Sequence, residues 1–225
     1  MENNSTSLTK PVFLIGIFLS IILPLLAISS TLLLRGAAMT FETKFLISRF
    51  VQWFALLLLF LFSLKIEKGP FLLWKEQEHS FLLYLKGIAI TMLFLILAML
   101  LTGILLYFLD SNSKSNLLNK TIAVLKNNFL LLFFTSITAG IVEELIFRGY
   151  LLPRLKLLFK NTKLAIVVSS FFFGIMHYSY GTLYQTIGPM VFGVVLAVQY
   201  KKYRNIKMMI VCHFLWDFVV LYLKS

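Results

Sequence analysis

The stretch FLLLFFTSITAGIVEELIFRGYLL, residues 129–152, decides how this chain is read. It is apolar and long enough to cross the roughly 30 Å hydrocarbon layer, which takes about 20 helical residues. Inside it stand Glu143, Glu144 and Arg148. Charged side chains at bilayer depth are costly, and they persist where they face a bundle interior and have a partner. Residues 144 and 148 share a helix face, so Glu144 is expected to pair with Arg148. Glu143 lies about 100° further round the helix. One carboxylate is then structural and the other is free for chemistry.

The rest of the chain agrees with a membrane setting. Of its 225 residues, 60% are hydrophobic and 13% charged, which excludes an ordinary soluble domain. Apolar runs at 12–34, 45–62, 87–109, 129–152, 164–178, 182–200 and 208–223 predict an all-α, polytopic transmembrane helix bundle. About 7–8 spans are expected, forming a single membrane domain over 1–225. Residues 65–86 read as a polar connection with a Gly69-Pro70 turn, a solvated His79 and a Phe71–Trp74 patch at the interface. Residues 110–126 read as a hydrophilic loop, and Arg49 as a residue snorkelling near the start of its span.

The formal net charge of +12 does not point to nucleic acid, because the basic residues sit in short loops between spans. The amino-terminal side collects thirteen: Lys10, four within 65–86, four within 154–163 and four within 201–207. The other side has seven, namely Arg35, Lys44, Arg49, Lys114, Lys120, Lys126 and Lys224. This bias places the amino terminus in the cytoplasm. The expected location is a bacterial inner membrane, and the expected partners are the lipid bilayer and a protein or peptide substrate. One cysteine, Cys212, excludes an internal disulfide and a cysteine metal cluster.

Few other groups in the spans can do acid–base chemistry. His177 closes the run at 164–178, and His213 and Asp217 stand four apart in the last run, on one helix face. At 1.5 Å per residue, Glu143 lies about 14 Å from the cytoplasmic end of its span; His213, Asp217 and His177 lie about 13, 19 and 21 Å from theirs. Side chains lean toward their own helix amino terminus, which narrows the gap between Glu143 and His177. Four polar groups from three helices can therefore meet in one layer. A carboxylate beside a histidine can hold and deprotonate water, while His213 and Asp217 face a developing oxyanion. Alternatively His177, His213 and Glu143 make a His₂–carboxylate set for a divalent metal, zinc, with one open position. Both schemes end in attack by water on a carbonyl, and the sequence leaves both open.

Other intramembrane hydrolase patterns are missing: there is no H-E-x-x-H, no Gly-x-Gly-Asp and no Gly-x-Ser-Gly. Buried Glu, His and Asp also make proton relays, but a transporter of that kind would carry repeated halves, and the chain has none. A non-catalytic immunity or scaffolding protein using the same bundle is the main alternative to an enzyme.

Taken in order, Glu143-Glu144-x-x-x-Arg148, Phe173-x-x-x-His177 and His213-x-x-x-Asp217 resemble the CPBP family, which joins CAAX proteases with bacteriocin-processing enzymes and is also called Abi. The resemblance covers 129–223, within a motif-bearing core of 127–223. It implies a CPBP intramembrane endopeptidase with the helical fold of the CAAX prenyl endopeptidases and a site opening toward the cytoplasm. Glu143 would activate water together with His177, Glu144 and Arg148 would support it, and His213 and Asp217 would line the oxyanion side. The family places Asn or Asp at this last position, and an Asp cannot donate a hydrogen bond unless protonated. Family members are commonly filed as metalloproteases, and a metal-free glutamate mechanism is also proposed for them.

Overall fold

A computed structural model describes residues 10–34, 36–109, 115–126 and 128–224. The polar start at residues 1–9, Arg35 and the loop residues 110–114 fall outside the described residues. Among those described, the chain forms eight helices and no strand. They are α1 (Lys10–Leu33), α2 (Phe41–Glu67), α3 (Phe81–Tyr107), α4 (Asn116–Lys126), α5 (Phe129–Phe159), α6 (Thr162–Met176), α7 (Tyr184–Tyr203) and α8 (Ile206–Lys224). Five of them, α1, α2, α3, α5 and α8, are long and apolar enough to cross a membrane. The protein is an all-α, multi-pass membrane bundle.

Helix starts carry their capping side chains. Thr40, Ser80, Asn128 and Asn161 each accept a hydrogen bond from a backbone N–H in the first turn of α2, α3, α5 and α6. The Asn161 cap leaves α6 only 15 residues long, about 22 Å. The expected loop at 110–126 needs correction, because Asn116–Lys126 is a helix. It is amphipathic, and its apolar side (Thr121, Leu125) is buried against the bundle, so its polar side alone gave the loop reading.

The helix α5 is not α-helical throughout. Ala139–Glu143 and Leu145–Leu151 are wound as π-helix, around Glu144. Such widened turns are rare and gather at functional sites. Close approach by small residues holds the neighbouring helices to α5. A Cβ on Gly140 would lie 3.0 Å from the Ile210 carbonyl oxygen and 3.1 Å from the Phe214 nitrogen of α8. On α6, a Cβ on Gly174 would come within 2.7 Å of the Thr186 carbonyl oxygen on α7.

One end of the bundle is closed. The connection between α2 and α3 folds across it, so the Phe71–Trp74 segment is not an interfacial patch. Trp74 is buried and stacks on Tyr200 with 5.3 Å between ring centroids. The Tyr200 hydroxyl donates to Glu76. His79 is partly exposed, and its Nε2 donates to the Tyr203 carbonyl at 2.7 Å. Beneath this cap Arg154 makes a two-pronged ion pair with Glu67, Nε to Oε1 at 2.8 Å and Nη2 to Oε2 at 2.6 Å, both side chains fully buried. Tyr150 donates to the same carboxylate at 3.1 Å.

Candidate active site

The other half of the bundle encloses a cavity of about 450 Å³. Its floor is formed by Glu143 of α5, His213 of α8 and the rings of Phe173 and Phe192. From there it widens along the amino-terminal part of α2 (Phe45, Arg49), the carboxy-terminal part of α3 (Met99, Leu100), α4 and the end of α8 (Leu221, Lys224). His177 and Asp217 line the same space. The structure thus brings Glu143, His177, His213 and Asp217 to one cavity. It leaves Glu144 and Arg148 behind the wall, fully buried.

The wall behind the cavity is a bonded chain. Arg148 Nη1 donates to Glu144 Oε1 at 2.7 Å, and Nη2 donates to the Gly193 carbonyl at 3.3 Å. Its guanidinium lies over the Phe173 ring, 4.4 Å from the centroid. His213 Nδ1 donates to the same Glu144 oxygen at 2.8 Å. That bond fixes a proton on Nδ1 and turns Nε2 toward the cavity, where Glu143 Oε2 lies at 3.9 Å and Asp217 Oδ2 at 3.6 Å. Glu144 therefore serves both the ion pair and the histidine. Its second oxygen is buried with no hydrogen-bond partner.

On the open side the groups are less committed. Glu143 accepts no hydrogen bond from a described residue, and the imidazole within salt-bridge distance of it is that of His213. His177 caps the end of α6, where Nδ1 donates to the Phe173 carbonyl at 2.9 Å. Its Nε2 is left with a lone pair that can accept a proton. The Asp217 side chain is 29% exposed, more open than Glu143 at 8% and His213 at 4%. Lying beside His213 Nε2, Asp217 is placed to orient that ring.

Glu143, His177 and His213, the zinc ligands expected from sequence, all line this cavity. Among the described residues no group of three or more His, Cys, Asp or Glu is arranged to hold a metal ion. The bond from His213 Nδ1 to Glu144 leaves Nε2 as the ring atom facing the cavity.

Among the lining residues that sequence reasoning missed are Arg49 and Gln52 of α2, Thr135 of α5 and Tyr180. Arg49 does not snorkel outward, because it lines the cavity, with its guanidinium over Phe45 and bonded to Ser48. The signal was present in the sequence: Arg49 and Gln52 are polar residues three apart, on one face of an otherwise apolar run.

Residues 125–219 match the family model described as Type II CAAX prenyl endopeptidase Rce1-like. Over those residues the chain belongs to this family. All six motif residues of the Rce1-like segment fall within the match, while Arg49 and Gln52 lie outside it. No curated protein and no solved structure matches the chain. The cavity opens at the end of the bundle that carries the carboxy-terminal ends of α3, α6 and α8. The end near the start of α1 is the closed one. The start of α1 and the mouth of the cavity therefore lie at opposite ends of the bundle.

Proposed function

We propose that the protein is an intramembrane endopeptidase that hydrolyses a peptide bond of a membrane-associated protein or peptide. The observation that carries this reading is that Glu143, which accepts no hydrogen bond from a described residue, and His177, whose Nδ1 is committed to the Phe173 carbonyl, line one cavity. A water held between them loses its proton to Glu143 as its oxygen attacks the scissile carbonyl. Negative charge then develops on the carbonyl oxygen. His213 Nε2 faces the cavity, and a protonated imidazole donates from that atom. The proton on Glu143 passes to the leaving amine as the carbon–nitrogen bond breaks. The bonded Glu144–Arg148–His213 chain holds the second imidazole in place throughout. This sequence uses the chain's own residues and no metal-bound step. Retention of activity after EDTA treatment is the expected outcome that separates it from the zinc scheme.

In this reading seven helices span the membrane, α4 lies along the open end, and the fold is that of the CAAX prenyl endopeptidases. The amino terminus is cytoplasmic, so the cavity opens on the opposite side. The test is terminal-peptide mass spectrometry on membranes from cells expressing the wild type, Glu143→Gln or His177→Ala. Cleavage products present with wild type and absent with both variants support the reading. Identical products in all three refute it, and a Glu143→Gln protein that sustains every wild-type phenotype points to a scaffold.

A further inference from the structure

The wall that α2 presents to the cavity carries polar atoms the hydrolytic scheme does not use. The carbonyl oxygen of Gln52 and the hydroxyl of Thr135 are buried, line the cavity and have no hydrogen-bond partner. Unsatisfied buried polar atoms cost about 1–3 kcal/mol each and call for a partner. Beside them is Arg49, which has no carboxylate within 4.0 Å among the described residues. Its Nε and Nη2 share Ser48 Oγ at 3.3 and 3.2 Å, leaving Nη1 unused. Trp53 of α2 donates to Thr138 of α5 at 3.0 Å. That bond fixes the register of the two helices, so Gln52 and Thr135 are held, not incidental.

The surroundings are apolar: Phe45, Ile96, Met99, Leu100 and Leu221. Thr135 stands eight residues, about 12 Å along α5, from Glu143, so the cluster lies in the same cavity further from the catalytic carboxylate, with Arg49 in electrostatic reach of Glu143 and Asp217. An acceptor, a hydroxyl and a fixed cation in an apolar channel match a carboxylate next to a peptide N–H. Arg is the side chain suited to that anion.

We infer that Arg49, Gln52 and Thr135 form a subsite that anchors a carboxylate on an otherwise apolar peptide, with Gln52 accepting from the adjacent backbone N–H. The inference rests on the peptidase reading for its biological sense, and its test does not use cleavage. The carboxylate can come from a chain terminus or from an acidic side chain. Three probes separate these sources: acetyl-Leu-Ala-Val-Leu as free acid, the same peptide as carboxamide, and acetyl-Leu-Glu-Val-Leu carboxamide.

Binding to the detergent-purified Glu143→Gln protein is measured by titration calorimetry, and then repeated with Arg49→Gln, Arg49→Lys and Gln52→Leu added. One carboxylate-bearing probe is expected to bind at least about tenfold tighter than the neutral carboxamide. Arg49→Gln should abolish the difference, Arg49→Lys should keep part of it, and Gln52→Leu should weaken all three probes. Thermal unfolding of each variant establishes that it is folded. Equal binding of acid and carboxamide, survival of the difference in folded Arg49→Gln, or no binding of any probe overturns the subsite. Failure of the wild type to cleave the tightest probe would count against the peptidase reading alone.

Discussion

Glu143 and Glu144 are adjacent, chemically identical and placed in opposite circumstances. Glu144 is fully buried and accepts from Arg148 and His213. Removing its charge leaves Arg148 uncompensated, so Glu144→Gln should cost about 3–5 kcal/mol, seen as a lower melting temperature in detergent. Glu143 has no such partners, and Glu143→Gln should shift stability by less than about 1 kcal/mol while removing cleavage. Equal destabilisation by the two variants would contradict this division. The split was legible in the sequence, because a spacing of four singles out Glu144 for Arg148. The bond from His213 to Glu144 was not, since spacing within one helix says nothing about which side chain of another will meet it. Arg154 was missed for the same reason. In the sequence it is one more loop cation, and only the fold delivers Glu67 to it.

At the scale of elements, each of the seven apolar runs became a helix, five of them long and apolar enough to cross a membrane, because length and hydropathy are local properties. The π-helical winding of α5 had no such local signal. The seating of His177 depends on how tightly α6 meets α7. A Cβ on Gly174 would lie 2.7 Å from the Thr186 carbonyl oxygen and from the Met190 Cβ. Backbone cannot yield cheaply there, so Gly174→Ala should cost about 1–3 kcal/mol. It should also lower the rate of cleavage, because His177 lies three residues beyond. A variant with wild-type melting temperature and rate would show that α6 and α7 are packed less closely than described.

For the whole molecule, the sidedness of the cavity is the sharpest prediction. Cys212 is the chain's one cysteine and is buried, so the wild type offers a clean background for thiol labelling. Lys120→Cys on α4 marks the open end and Lys160→Cys, after α5, the closed end. A membrane-impermeant maleimide should label the first in intact cells and the second only after permeabilisation. The reverse pattern would put the amino terminus outside. The closed end is also the strong end. Arg154 is bonded to Glu67, to the Phe71, Pro70 and Tyr150 carbonyls, and lies 3.4 Å over the Tyr150 ring. Arg154→Met should therefore cost about 3–5 kcal/mol and loosen the loop above it, read as faster proteolysis between residues 68 and 80. With that end clamped by charge and the other held by grease, any yielding that admits a guest must begin at the wide end. Helices α3 and α4 would part there like the lip of a bag whose seam is sewn at the bottom.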